Sequence, residues 1–287
     1  MSIRLTILFS LCVSSYSVSA QNQENQTIDI VLNQEVMSAA FPKVTALKQQ
    51  GSFLSQEDGK VQLEKSIGKK IALGKNKSLA TNLSAPEIYQ KMLPSTIVLA
   101  SDRLRGSGYL ISSDGICVTN YHVIQMYTDP ESKNSGLSAL THDNEVYMVT
   151  EILASSPEND LAIIKIDTRG KKLPALPLGD YLPEGNKVFV LGHPSHVMYY
   201  FSEGIVAKNF IRNPKLLSPK EECFMAVTAD YGIGCSGAPV VDQKGNIVAT
   251  VSAAMALYQN PNTLNNPQMV LRNTIPVIAL KQLIDFK

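Results

Sequence analysis

At 287 residues, with 44% hydrophobic and 18% charged side chains, the chain suits one large globular domain or two small ones around a substantial core. Its formal net charge of +1 gives no electrostatic basis for holding nucleic acid or an anionic membrane. With no tryptophan and scattered aromatics, it has no base-stacking platform either.

Residues 1–20, MSIRLTILFSLCVSSYSVSA, join a basic start at Arg4 to an apolar run from Leu5 to Val13 and small residues ending at Ala20. That pattern predicts a secretory signal peptide cut after Ala20, and hence an exported protein, periplasmic or secreted. The apolar run falls short of the ~20 residues a membrane-spanning helix needs, so no membrane span is expected after cleavage. Leu11 before Cys12 argues against a lipoprotein cysteine. Beyond the signal, Cys117, Cys223 and Cys235 remain. An odd count leaves at least one thiol unpaired within the chain, and no two stand at zinc spacing.

Residues 21–83 are rich in Asn, Gln, Lys and Ser. They are expected to form a polar leader, with IDIVLNQEVMSAAF as one element and GKKIALGKNKSLATNLS as a flexible tether. An inhibitory pro-segment is the sharper alternative. At Ser84 the character changes, and residues 84–287 form the main domain. Ser84 and Glu87 stand at capping-box spacing with Pro86 in the first turn, predicting a short helix ended by Pro94. Short runs rich in Val, Ile and Thr follow, among them STIVLAS, GSGYLIS, ICVTNYHVI, LAIIKID and NIVATVSAA. Ser113-Asp114-Gly115 and Gln243-Lys244-Gly245 look like hairpin turns. The whole argues for an all-β barrel or sandwich. Pro276 opens a closing helix whose Val277, Leu280 and Ile284 share one face. No repeat of 20–50 residues is visible.

Three local constellations occur in the order His, Asp, Ser. GSGYLISSDGICVTNYHVI is a β-hairpin ending at His122, SSPENDLAIIKID sets Asp160 before an apolar strand, and GIGCSGAPV carries Ser236. Each alone is commonplace; the three in this order are specific. A serine hydroxyl attacks well only when a base removes its proton, and imidazole, titrating near 6.5, suits neutral pH. A carboxylate then holds the imidazole in the productive tautomer. The developing oxyanion needs backbone N–H donors, and Gly234, two before Ser236, lets the backbone turn one inward.

These segments resemble the chymotrypsin/trypsin clan of serine proteases, most closely the exported bacterial HtrA/Deg type. The resemblance rests on Gly106-Ser107-Gly108, Thr119-Asn120-Tyr121-His122-Val123, Asp160-Leu161-Ala162 and Gly234-Cys235-Ser236-Gly237-Ala238-Pro239, and covers about residues 87–287. It implies two six-stranded antiparallel β-barrels with a short N-terminal helix and a C-terminal helix. It implies His122 as general base, Asp160 as its orienter and Ser236 as nucleophile. The N–H groups of Gly234 and Ser236 would form the oxyanion hole. Ser252, Ala253 and Ala254 would line the substrate backbone and one pocket wall, with Asp230 near the pocket base, where a basic preference would follow. Polypeptides are the implied substrates. No PDZ module, no cofactor and no metal are expected, since His142 and His196 lack carboxylate or thiol neighbours at ligand spacing; His193 is expected to be structural.

Four readings compete. The leading one is an exported serine endopeptidase working through an acyl-enzyme. A catalytically silent, protease-like binding module in the cell envelope is the alternative, and no triad member is missing to favour it. A cysteine peptidase using Cys235 would put Ile233 where the oxyanion glycine belongs. Finally, trypsin-like zymogens carry, before the nucleophile, an Asp that pairs with a new N-terminus. Cys235 has no carboxylate, so that mode of activation is not expected.

Overall fold

The computed structural model describes residues 33–51, 53–74, 77–101, 105–132, 134, 136–195, 197–212, 222–260, 262 and 264–287. The expected signal peptide, the start of the leader and His196 lie outside these residues.

The first barrel is built from β2 (Thr96–Ala100), β3 (Arg105–Leu110), β4 (Ile116–Thr119), β5 (Ser138–Leu140), β6 (Val146–Ser156) and β7 (Leu161–Ile166). It closes in the order β2-β3-β4-β7-β6-β5. The second uses β8 (Lys187–Gly192), β9 (Tyr200–Arg212), β10 (Glu222–Val227), β11 (Pro239–Asp242), β12 (Ile247–Asn260) and β13 (Asn265–Pro276), closed as β10-β13-β12-β11-β8-β9. Every pairing within both barrels is antiparallel. The choice between barrel and sandwich thus falls to two six-stranded barrels.

The unbroken apolar run of β7 shows why. Ala162, Ile164 and Ile166 point into the first barrel, while Leu161 and Ile163 point outward into a third core between the barrels. A strand buried on both faces loses the alternation of a half-exposed one. That seam also takes Tyr109, Phe189, Leu191 and Ile247. It is capped by α3 (Ala85–Met92), through Ile88 and Met92, and by α5 (Val277–Lys281), through Val277 and Leu280. Fully burying each such side chain contributes about 1.5–3 kcal/mol. Across the seam the Tyr109 hydroxyl meets Thr250 Oγ1 at 2.7 Å, both side chains buried.

The helix expected from Ser84 is α3, and both the Ser84 N–H and its hydroxyl donate to Glu87 Oε2. Three local expectations are corrected. The strand containing Cys117 stops at Thr119, and His122 lies instead in α4 (Tyr121–Thr128). Asn120 keeps extended dihedrals at its N-cap, and Val123, Ile124 and Tyr127, at helical spacing, are buried. Tertiary burial of that face overrides local β propensity. The closing helix ends at Lys281, because Ile284 enters β14 (Ile284–Phe286), which pairs in parallel with β1 (Ile71–Leu73).

The third correction concerns the leader. It supplies α1 (Asn33–Gln49), α2 (Gln56–Ser66) and β1. Ala40 of α1 packs on Val98, Leu140 and Val146, and Leu63 of α2 joins the first barrel's core. Tyr127 of α4 donates to the Leu54 carbonyl at 2.6 Å. The supposed tether is pinned as well: Ser78 donates to the Leu178 carbonyl, and Leu79 exchanges two hydrogen bonds with the Asn246 side chain. Its polarity serves hydrogen bonds to the barrels as much as solvation.

Tyr109→Phe should lower unfolding free energy by about 1–2 kcal/mol, because Thr250 Oγ1 would stay buried without its partner; urea unfolding monitored by far-UV circular dichroism measures this.

Candidate active site

The three side chains singled out in the sequence come from both barrels and are linked through Ser252 of β12. The first turn of α4 presents His122, half-exposed, above the first barrel. Asp160 sits in the turn before β7 with φ +49, a left-handed conformation that Asp tolerates better than most residues. Two backbone bonds hold that turn: the Asp160 N–H donates to the Pro157 carbonyl, and the Asp160 carbonyl accepts from Asn120 Nδ2 at 2.8 Å. The Asp160 carboxylate faces His122 Nδ1, with both oxygens at 2.9 Å. It also accepts the His122 backbone N–H at 3.0 Å and the Ser252 hydroxyl at 2.7 Å. Donors on three sides fix the orientation of that carboxylate. By holding Nδ1, it leaves Nε2 as the imidazole's outward nitrogen.

Ser236 lies in the loop before β11. Its hydroxyl donates to the Ser252 carbonyl at 3.4 Å, a long bond, and makes none to His122. Both of its neighbours are fixed. Cys235 is 1% exposed, in the core of the second barrel with Ala238 and Val251. A Cβ on Gly192 would come within 2.9 Å of its sulfur. Burial pushes the Cys235 thiol up in pKa, the reverse of what an attacking thiolate requires. Gly237 has φ +87, and a Cβ there would lie 2.2 Å from the Ser107 carbonyl oxygen. Only glycine fits.

Four consecutive peptide planes of this loop are anchored from behind. The Ile233 carbonyl accepts from the Ser195 N–H and the Cys235 carbonyl from the Ala238 N–H. The Gly234 carbonyl accepts from the Ser107 hydroxyl and the Ser236 carbonyl from the Ser107 N–H, each at 2.8 Å. In a trans peptide the N–H points opposite to the carbonyl. Anchoring the Ile233 and Cys235 carbonyls therefore aims the Gly234 and Ser236 N–H groups the other way, where neither meets an acceptor among the described residues. Unpaired donors on a braced loop are what an oxyanion site requires. Gly234 has φ +99, and a Cβ there would come within 2.5 Å of the His193 carbonyl.

The proposed pocket residues are also adjacent. Ser252, Ala253 and Ala254 lie on β12, the two alanines exposed. Asp230 stands beside them, but its carboxylate pairs with Arg272 of β13. The sequence singled out neither Arg272, nor the bracing by Ser107 and Ser195, nor the Asn120 bond. Ser107 and Asn120 stand inside quoted motifs, yet nothing local marks what they touch.

Residues 106–249, half of the chain, match the family model described as a trypsin-like peptidase domain. The chain belongs to that family. Among curated relatives, a probable periplasmic serine endoprotease, DegP-like, of Chlamydia trachomatis is 30% identical over 158 residues, which are 54% of this chain and 29% of that protein. The chloroplastic Protease Do-like 5 of Arabidopsis thaliana is 31% identical over 155 residues, 52% of this chain and 47% of the relative. The aligned part thus spans less than half of either relative. Among solved structures, the HtrA-type protease AlgW with tripeptide superposes with a TM-score of 0.55 at 25% identity, covering 69% of this chain and 62% of that one. A serine endoprotease from Yersinia pestis shares the fold, with a TM-score of 0.53 at 18% identity over 71% of this chain and 68% of its own. The likeness is to the HtrA/Deg type of the trypsin clan.

His193 of this trypsin-like domain is buried, with its carbonyl against Gly234 of the loop that carries Ser236. Its Nδ1 accepts the Tyr199 N–H at 3.1 Å, and burial lowers its pKa to about 3. An unfolded histidine titrates near 6.5. Between those values the unfolded chain binds the extra proton, so stability is full above pH 6.5 and declines as pH falls toward 3. His193→Gln should remove a slope of up to about 1.4 kcal/mol per pH unit from that window; urea unfolding of both forms at pH 7, 6, 5 and 4 gives the difference curve.

Proposed function

We propose that the chain is an exported serine endopeptidase, cleaving polypeptides through His122, Asp160, Ser236 and an acyl-enzyme intermediate. One observation carries this reading. Ser252 joins the two halves of the site: its hydroxyl donates to the Asp160 carboxylate that faces His122, and its carbonyl accepts the Ser236 hydroxyl, beside two N–H groups left without acceptors among the described residues. Export is supported by the amino-terminal signal pattern and by the periplasmic description of the Chlamydia relative.

Substrate would lie along the free edge of β12. A substrate N–H donating to the Ser252 carbonyl would displace the Ser236 hydroxyl, which then turns to His122 Nε2. Ser236 Oγ attacks the scissile carbonyl carbon as Nε2 takes its proton, and the carbonyl π electrons move onto oxygen. The oxyanion sits between the Gly234 and Ser236 N–H groups; one such donor typically lowers a barrier of this kind by about 3 kcal/mol. Asp160 stabilises the imidazolium without taking its proton. Collapse breaks the C–N bond, the amine leaves with the proton from Nε2, and the Ser236 ester remains. Water, deprotonated by His122, then hydrolyses that ester by the same steps.

A fluorophosphonate probe should label the wild-type protein at Ser236, and Ser236→Ala should lose both labelling and peptide hydrolysis with its circular dichroism unchanged. No labelling of folded protein would end this reading. Asp160→Asn should retain the fold and lose about 10⁴-fold in kcat, because the amide presents the wrong tautomer to Nδ1.

Activity should also be independent of a freshly cut N-terminus. Cys235, buried in the position before Ser236, has no carboxylate for an α-amino group to pair with. Acetylating the amino terminus of mature protein should leave kcat/KM unchanged in a peptide assay, whereas a loss would mean that a buried ammonium organises the loop.

A further inference from the structure

Arg272 and Asp230 make an ion pair beside Ala254 of β12, the strand along which the substrate would lie. The two groups come from different segments drawn together by Tyr231. Its hydroxyl lies 2.8 Å from the Asn273 carbonyl on β13, to which it donates, and 3.2 Å from the Ala253 carbonyl on β12, the alternative acceptor for the same proton. Arg272 is the β13 partner of Ala254, so the two side chains share a face of the hairpin. Its guanidinium lies 5.7 Å from the centre of the Tyr231 ring. The Arg272 side chain is only 19% exposed, against 64% for Asp230. Its Nε is buried with no hydrogen-bond partner among the described residues.

An unpaired carboxylate at Asp230 would favour lysine or arginine at the residue donating the scissile carbonyl, the acyl-side residue. Here that carboxylate is already met by a cation on the chain itself. A second cation arriving at the same spot would face Arg272 as well as Asp230 and gain little, while like charges brought close repel.

We propose that Arg272 is a specificity-determining residue, neutralising Asp230 and excluding lysine and arginine at the acyl-side position. The position is then left to uncharged side chains. This rests on the peptidase reading above. Selectivity here is built by a repulsive group as much as by an attractive one.

The test uses mature protein, a peptide library varied only at the acyl-side residue, and the fluorescent cation p-aminobenzamidine as a binding probe. Wild type should cleave after lysine or arginine about 100-fold less well, in kcat/KM, than after alanine or valine, and should not bind the probe. Arg272→Ser and Arg272→Gln should raise cleavage after lysine and arginine at least about 10-fold and bind the probe. Asp230→Asn should instead favour Asp or Glu, because the guanidinium is left unpaired. Preference of wild type for lysine or arginine would overturn the proposal, as would an unchanged profile in folded, fluorophosphonate-labelled variants. If both Arg272 variants failed to fold, Asp230→Asn would decide alone. A gain for acidic residues supports the proposal and an unchanged profile sinks it. Absence of labelling in wild type would instead bring down the peptidase reading itself, and this one with it.

Discussion

The contact on which everything else depends is Ser107 of the first barrel against the serine-bearing loop of the second. Its N–H holds the Ser236 carbonyl, its hydroxyl holds the Gly234 carbonyl, and its own carbonyl accepts from Thr119 Oγ1. The fit is tight enough that Gly237 has no room for a β-carbon. One residue thus ties the strand leading to His122 to the loop carrying Ser236. Because the peptide planes are anchored at their carbonyl ends, the Gly234 and Ser236 N–H groups would, in the proposed peptidase, need no reorganisation when charge develops. Fixed dipoles of this kind stabilise developing charge better than mobile water does.

The same logic extends outward in shells. Ser195 braces the Ile233 carbonyl, and the His193 carbonyl lies where a Gly234 β-carbon would go, so the segment after β8 shapes a site it never enters. On the opposite side, Asn120 and Pro157 fix the turn of Asp160 through its backbone, and Ser252 fixes its carboxylate. Ser252 is shared: its hydroxyl serves Asp160 while its carbonyl receives the Ser236 hydroxyl. Asp160 in a left-handed conformation is a local cost that such a frame has to offset.

The leader takes part in the same architecture. β1 pairs with β14, joining the leader to the last strand, and α1 and α2 pack on the first barrel. The α2 helix touches α4 directly, since Gly59 approaches Tyr127 and Thr128 with no room to spare. Burial of Leu54 and Leu63 beside Tyr127 therefore sets the helix on which His122 rides. Apolar cover on α4 and position at the site are one physical quantity here.

By itself the sequence determined what depends on neighbours along the chain. The Ser84–Glu87 cap, the turns at Gly115 and Gly245, the alternation or continuity of the strands and the His, Asp, Ser order all rest on local chemistry. Glycine at 234, two before Ser236, was legible for the same reason. Where local preferences conflicted with packing, sequence was a poor guide: ICVTNYHVI favours a strand, but only buried Val123, Ile124 and Tyr127 turn its second half into a helix. Tertiary structure alone decided the pairing of Asp230 with Arg272, the bracing by Ser107 and the docking of the leader. Each joins residues far apart in the chain, and a hydrogen bond or ion pair has no preference for its partner until folding has brought one within about 3 Å.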